Sequence, residues 1–269
     1  MNAVHFSPEK DPVVPRDRGT QSANCAVRPI SPVQVERYPV RRHLINYIER
    51  VLTWVRKGQT IIPPPGVVKL NLGSGLHVAP GWINVDGSLK TAIARWPQPL
   101  LRAVYPWLGS ATHPRDEFVE VLRGNRFVMH NLKYGLPLPS SSVDFVFASH
   151  VLHHLYKSEA RELLIDIARV MKSGGTLRIC VPDLEYIIGL YERGERERAI
   201  EGHFFYPSPV RSELSSRHYQ YDFVMLKDLL ERTGFTRVRR CTVNAGTLPD
   251  LDKLDRLSEE SLYVETTKP

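Results

Sequence analysis

Short apolar runs alternate along this chain with stretches of helical period, and that alternation predicts most of its elements. Val67–Leu72 and Gly81–Asp86 read as two buried strands, and the residues between hold Gly73-Ser74-Gly75. Arg126–His130, Val143–Ala148 and Thr176–Val181 read as three more strands, and Thr236–Val243 with Ser261–Thr266 as a closing pair. Helices are predicted from Ser158 to Met171, with Gly174-Gly175 as its stop, from Leu184 towards Arg193, and from an Asp222 cap to about Thr233. Ser149 is placed to cap a short helix after the fourth strand. Strands alternating with helices imply an α/β fold with a parallel sheet covered by helices on both faces.

Two stretches depart from that rhythm. From Tyr38 to Lys57, Leu44, Ile45, Ile48, Val51, Leu52 and Val55 fall on one helical face, with Arg41, Arg42, Asn46, Glu49, Arg50 and Arg56 elsewhere. This helix either packs on the body or touches anionic lipid or a partner. Gly58 and Pro63-Pro64-Pro65-Gly66 form a stiff linker behind it. Residues 88–125 hold Ile93, Trp96, Leu100, Leu101, Val104, Tyr105, Trp107 and Leu108, broken by Pro97, Pro99 and Pro106. That is too long for a plain connection. It reads as a broken helical pair with its own small core, as an aromatic cap over a ligand, or as a membrane-facing patch. The expected organisation is a disordered tail over 1–37, the helix and linker over 38–66, and one body over 67–269 with the insertion at 88–125.

Composition is ordinary for a globular protein of 269 residues. Cys25, Cys180 and Cys241 are odd in number and unpaired in spacing, which points away from a disulfide framework and towards a reducing compartment. The opening residues lack a signal-peptide pattern and no apolar run reaches a membrane span, so a cytoplasmic location is expected, with contact at the inner membrane face through the first helix as its variant. The net charge is +7, and residues 1–66 carry ten Lys/Arg against five Asp/Glu. Residues 88–128 carry six against three and 129 onward nineteen against twenty, so the excess lies outside the motif-bearing body and bears on docking rather than chemistry.

The chemistry centres on the glycine turn and the carboxylate that follows it. Gly73 and Gly75 let the backbone approach a ligand, and Asp86 closes the next strand, where an acid can accept from both hydroxyls of a ribose. The dinucleotide fingerprint wants a third glycine where Val78 stands and an acid about 20 residues on. Asp86 comes much sooner, so a nucleoside cofactor without phosphates fits better than a nicotinamide dinucleotide.

Leu70-Asn71-Leu72-Gly73-Ser74-Gly75 with Gly81-Trp82-Ile83-Asn84-Val85-Asp86 resembles the class I S-adenosylmethionine-dependent methyltransferases of the type 11 group. Leu136-Pro137-Leu138-Pro139 through Ser149-His150-Val151-Leu152, and Arg169-Val170-Met171-Lys172-Ser173-Gly174-Gly175, match in the expected order. The resemblance implies a Rossmann-like, seven-stranded, mostly parallel sheet whose last strand inserts antiparallel. It implies S-adenosyl-L-methionine held by Asn71, Gly73, Ser74, Gly75, Asp86, Asn131, Leu132 and Ser149. Asn131 stands where the family commonly has Asp, and its carbonyl oxygen can still accept from the adenine amino group. The branch is associated with glycan modification, which implies methyl transfer to a hydroxyl oxygen of a saccharide or glycolipid. A small-molecule or quinone-type methyltransferase is the alternative, and a non-catalytic cofactor-binding scaffold is the alternative from another class. Nucleic acid is not the expected partner, since the Asn-Pro-Pro-Tyr and Asp-Pro-Pro-Tyr tetrads are absent.

His150, His153 and His154 follow the fourth strand. On a helix, 150 and 154 would share a side and face the cleft together. Without a carboxylate among them, and without His-Glu-x-x-His, no metal is expected. A neutral imidazole can act as general base, with His154 the first candidate and His150 the second. Arg217, His218, Tyr219 and Tyr221 are the expected acceptor-binding residues, suited to stacking on a sugar and bonding its hydroxyls.

Overall fold

The computed structural model describes residues 40–109, 113–204, 216–256 and 260–269, with side chains from 43 onward. The chain divides into Met1–Arg37 and Tyr38–Pro269. The tail expected over 1–37 lies outside the described residues, and all that follows concerns the second unit.

Its centre is one seven-stranded sheet made of β1 (Lys69–Leu72), β2 (Trp82–Asp86), β3 (Arg126–Met129), β4 (Val143–Ser149), β5 (Met171–Pro182), β6 (Thr236–Cys241) and β7 (Ser261–Thr267). The strand order is β3-β2-β1-β4-β5-β7-β6. The first five strands pair in parallel, while β7 runs antiparallel between β5 and β6. The chain moves outward from β1 to β3, then crosses to β4 on the other side of β1. The crevice between β1 and β4 is the switch point at which open α/β sheets bind ligands.

Period-two alternation divides the strands into two faces of different character. On one face Leu70, Leu72, Ile83, Val85, Val146, Ala148, Leu177, Ile179 and Val181 form the main core with helices α5 (Lys157–Val170) and α8 (Phe223–Arg232), between which the chain forms α6 (Leu184–Glu192) and α7 (Arg196–Ala199). Leu163, Leu164 and Ile167 of α5 and Leu226 and Leu230 of α8 supply the helical side. Burying each such side chain is worth about 1.5–3 kcal/mol.

The other face carries Trp82, Asn84, Phe147 and Arg178, and the segment after β6 straps across it. Leu248, Leu251 and Leu254 of that strap pack on Trp82 and Phe147. Fully buried Arg178 bonds Asp255 through Nε at 3.0 Å and Nη2 at 2.5 Å, and Glu265 through Nη1 at 3.1 Å. It also donates to the carbonyls of Thr242 and Ala245. A buried guanidinium is tolerable because its donors are met; Asp255 and Glu265 hold its pKa above the ordinary arginine value even against desolvation.

The insertion proves helical, with α2 (Leu89–Ala92), α3 (Gln98–Leu108) and α4 (Arg115–Gly124). Leu101, Phe118 and Leu122 fill its core with Ile93, and the body lends Leu76 and Phe127. The interior of the insertion is thus a small core shared with the body, while Trp96, Leu100 and Trp107 remain on its surface. Helix α1 (Val40–Val55) precedes the sheet, and the linker behind it runs along the edge strand. Gln59 Nε2 donates to Met129 O at one end of β3, and Arg126 Nη2 to Ile62 O at the other.

Three local expectations are corrected. Helix α5 ends at Val170 and Met171 already pairs with Val143, so Gly174-Gly175 do not stop the helix but lie within β5. Apolar contacts of Met171 inside the core outweigh the glycine signal. Ser149 remains in β4 and caps nothing; the short element after it is a 3-10 turn, Leu152–His154, with Val151 at its N-cap. And His150 is not helical: its φ of 53° puts it in the left-handed region.

Candidate active site

The carboxyl ends of β3, β2, β1 and β4 line up in that order along one edge of the sheet, and each contributes a loop. After β1 the chain turns through Gly73 at φ 61° and Gly75 at φ 53°. Gly73 is required twice over. Its φ suits only glycine readily, and a Cβ there would lie 2.5 Å from Val151 Cγ2. A Cβ on Gly75 would meet nothing within 4 Å, so that side of the turn is open to a ligand.

Asp86 closes β2 and is held against this turn. Gly75 N donates to its Oδ2 at 2.9 Å and Ser88 N to its Oδ1 at 2.7 Å. A carboxylate has about four acceptor positions, so one lone pair on each oxygen is left for a ribose diol. Glu49 of α1 accepts from Leu89 N at 2.8 Å, which ties the next turn of loop to the first helix. Asn71 is buried below the turn and donates to His77 O at 2.8 Å and Asn84 Oδ1 at 3.0 Å, so its amide supports the loop's path. Ser74 is buried and its carbonyl accepts from His77 N. At the end of β3, Asn131 Oδ1 accepts from Lys133 N at 3.0 Å and caps the 3-10 turn Leu132–Tyr134, with Leu132 packed against the main core.

On the other side of β1 stand the histidines. His150 Nε2 lies 3.6 Å from Cys180 Sγ and 3.5 Å from Ser261 Oγ. Its ring meets that of His153 edge-on with centroids 5.4 Å apart, and His153 and His154 lie at 4.0 Å. The three rings gather around His153 through a left-handed turn and a 3-10 turn, and not along one helix face as their spacing suggested. Burial pushes the His150 pKa down to about 4, aided by the charges of Arg217 and His154. Burial also lowers His154, against the raising effect of the Ser216 carbonyl, and sets His153 well below the usual range. All three imidazoles are neutral at pH 7. His154 Nδ1 lies 3.1 Å from Ser216 O. A carbonyl can only accept, so Nδ1 carries the proton and Nε2 keeps its lone pair. Among the described residues, no group of three or more His, Cys, Asp or Glu is disposed to hold a metal ion.

The segment Ser216–Tyr221 is held to the same turn, with His218 N and Tyr219 N both donating to His153 O. His218 stacks on Tyr156 at 4.2 Å, and Arg217 reaches back to the carbonyls of Gly202 and His203. Tyr219 is half-buried beside Tyr221 at 4.9 Å. Tyr221 belongs to the main core, and burial raises its phenol pKa. Arg217, His218 and Tyr219 are therefore the members of the expected acceptor set that border the histidines, while Tyr221 is set behind them.

Sequence reasoning missed several contributors. Glu49 looked like one charge among many on α1, yet it is buried and holds Leu89 N. Cys180 and Ser261 flank His150 from strands far away in sequence. Ser88 carried a local signal, standing two residues past Asp86 as an Asx-turn partner.

Residues 110–179 match the family described as Methyltransferase domain. The chain carries a methyltransferase domain. The sheet order, with the antiparallel β7 inserted between β5 and β6, agrees with the class I form of that domain. Similar solved structures include an S-adenosylmethionine-dependent methyltransferase from Thermotoga maritima, 14% identical, covering 87% of this chain and 94% of that one with a TM-score of 0.44. Another, from Archaeoglobus fulgidus, is 17% identical over 84% of this chain and 94% of that one, TM-score 0.42. A Haemonchus contortus phosphoethanolamine N-methyltransferase in complex with S-adenosylhomocysteine is 11% identical over 82% and 52%, TM-score 0.41. No curated protein matches the chain in sequence.

S-adenosylmethionine is the cofactor of this methyltransferase, and the residues fit it. The open turn at Gly75 leaves room for the methionine end, and Asp86 has acceptor positions directed by two fixed amides. Two glycines and no cation in the turn make it a poor cradle for a pyrophosphate.

Proposed function

We propose that this methyltransferase alkylates a hydroxyl oxygen of a saccharide or glycolipid, with His154 as general base. The observation that carries the reading is the fixed tautomer of His154, whose Nδ1–H is spent on Ser216 O so that Nε2 is the basic atom. S-adenosylmethionine supplies an activated methyl on sulfur. The chain's own residues do the rest. Gly73, Gly75 and Asp86 fix the donor, and the aromatic and basic side chains of Tyr156, Arg217, His218 and Tyr219 orient a hydroxylated acceptor. With the methyl supplied by that sulfonium, His154 Nε2 would take the proton of the acceptor hydroxyl as its oxygen is alkylated. Alignment alone is worth about 7–11 kcal/mol in such reactions.

His150 is the second candidate, but its Nε2 is shared between Cys180 and Ser261, so it suits a supporting role. A quinone-type acceptor would need a greasy channel beneath the insertion, and Leu101 and Phe118 already fill that space. A glycolipid acceptor also suits a chain whose first helix reaches the rim of the site through Glu49. Nothing in the site favours a scaffold without turnover.

The test is methyl transfer from labelled donor to a panel of saccharides, glycolipids, amines and quinols. Saccharide or glycolipid label is expected, with His154→Gln lowering kcat by about 10²–10⁴-fold while S-adenosylhomocysteine binding stays intact. Label found only on amines or quinols would discard the acceptor class, and unchanged kcat would discard the base.

A further inference from the structure

Helix α1 carries two lines of side chains, and the fold uses one of them. Ile45, Glu49 and Thr53 are buried against the body. Leu44, Tyr47, Val51, Trp54 and Val55 point away from it and remain between 40% and 66% exposed. Positions 44, 47, 51 and 54 follow a three-four-three spacing, so they form one apolar line with two aromatic rings in it. Exposed apolar lines of this kind mark interaction surfaces.

The charges beside the line are of one sign. Arg50 and Lys57 are exposed and Arg56 is partly so. Lys57 Nζ lies 5.1 Å from the Trp54 ring centre. The only carboxylate between 40 and 57 is Glu49, and it is buried and bonded to Leu89 N. A second copy of this surface would bring cations against cations. A bilayer with anionic headgroups meets both features, since Trp and Tyr rings favour the headgroup level and cations favour lipid phosphates. No described helix is long and apolar enough to cross a membrane, so the contact is peripheral.

We propose that the outward line of α1 docks this chain on an anionic lipid bilayer and sets the rim of the donor cleft against it. Glu49 joins the helix to Leu89, and Asp86 holds Ser88, so the docked helix is linked directly to the loop of the ribose-binding acid. This deepens the glycolipid reading by naming where the acceptor is met. Its test is independent of turnover.

The full chain is mixed with vesicles of phosphatidylcholine alone or containing phosphatidylglycerol, and binding is read by co-sedimentation and tryptophan fluorescence. Binding to the anionic vesicles alone, weakened by salt, is expected. The double variant Tyr47→Ser/Trp54→Ser should lose about tenfold or more in partitioning, and Lys57→Ala about fivefold. S-adenosylhomocysteine affinity, which reports the site itself, should be unchanged in both. No binding to anionic vesicles, or binding indifferent to these variants, overturns the proposal. So does a concentration-dependent dimer in sedimentation velocity that Tyr47→Ser/Trp54→Ser abolishes, which would assign the line to self-association.

Discussion

The two halves of the cleft are built on opposite principles. On the donor side, at the ends of β1, β2 and β3, polar side chains are mostly met by the chain itself. Asp86 takes two amides, Asn71 and Asn84 bond each other and the carbonyls around them, and Asn131 caps its own turn. Ser88 Oγ is an exception. Among the described residues, His153 Nδ1 and Gln220 Oε1 beside the histidines, and the Tyr221 hydroxyl behind them, are buried without a hydrogen-bond partner. Each such group costs about 1–3 kcal/mol. On the proposed function, one half is preorganised for the cofactor and the other keeps polar groups where the acceptor's hydroxyls would be chosen, which is where uncompensated burial gives discrimination.

The sharpest break in the comparison is Asp86→Ala. It removes the proposed ribose acceptor and frees the amides of Gly75 and Ser88 at once. Hydrogen bonds to a charged group are worth about 1.5–3 kcal/mol each, so two lost ribose bonds predict a fall of about 10²–10⁴-fold in S-adenosylhomocysteine affinity. In thermal denaturation the roughly 2.7 kcal/mol of stabilisation expected at about 100 times the wild-type dissociation constant should vanish. Calorimetric titration giving the wild-type affinity would remove Asp86 from the cofactor site.

The donor half was also the legible half. Gly73, Gly75 and Asp86 lie close in sequence, and strand–turn–strand pattern is enough to bring them together. The sheet was legible too, because apolar runs such as Val143–Ala148 have the period and length of buried strands. The acceptor half was not, since it is assembled from contacts far apart in the chain. His150 meets Cys180 and Ser261 across two strands, and His154 meets Ser216 across sixty-two residues. Spacing of four suggested a helix for 150 and 154, but the main-chain bond from His150 N to Cys180 O holds a left-handed turn there instead. Arg178 was hidden for a like reason. It sits in an apolar strand pattern, and the carboxylates that make it acceptable lie 77 and 87 residues on.

A smaller effect separates the halves by pH. His150 is neutral in the fold, with its pKa lowered to about 4, against about 6.5 when unfolded. Between those values the unfolded chain binds the extra proton and the folded chain does not. The stability so contributed is complete above about pH 6.5 and is lost as pH falls towards 4. The loss between about pH 7 and pH 5 amounts to about 2 kcal/mol. His77 and His153 are lowered by burial with the same sign, so the total acid loss is shared. His150→Asn isolates one part of it, because Asn accepts the left-handed turn and does not titrate. Urea denaturation at the two pH values should show the variant losing less than the parent. An equal loss would mean that His150 titrates alike in both states.

The smallest expected effect lies where the two principles meet, at Asn131. Its Oδ1 already accepts from Lys133 N, and the same oxygen has a second lone pair for the adenine amino group. Asn131→Ala should cost about 1 kcal/mol of stability through the lost cap. It should weaken S-adenosylhomocysteine by about fivefold, the worth of one neutral hydrogen bond. Asn131→Asp keeps an acceptor in both places, so it should recover the cap and bind at least as tightly as the parent. The two readouts separate two roles. If Asn131→Ala loses stability but keeps its affinity, the residue is a turn former only, and adenine is recognised by shape against Leu132. If both fall and Asn131→Asp restores both, the donor half owes its selectivity to a side chain that serves fold and cofactor with one atom.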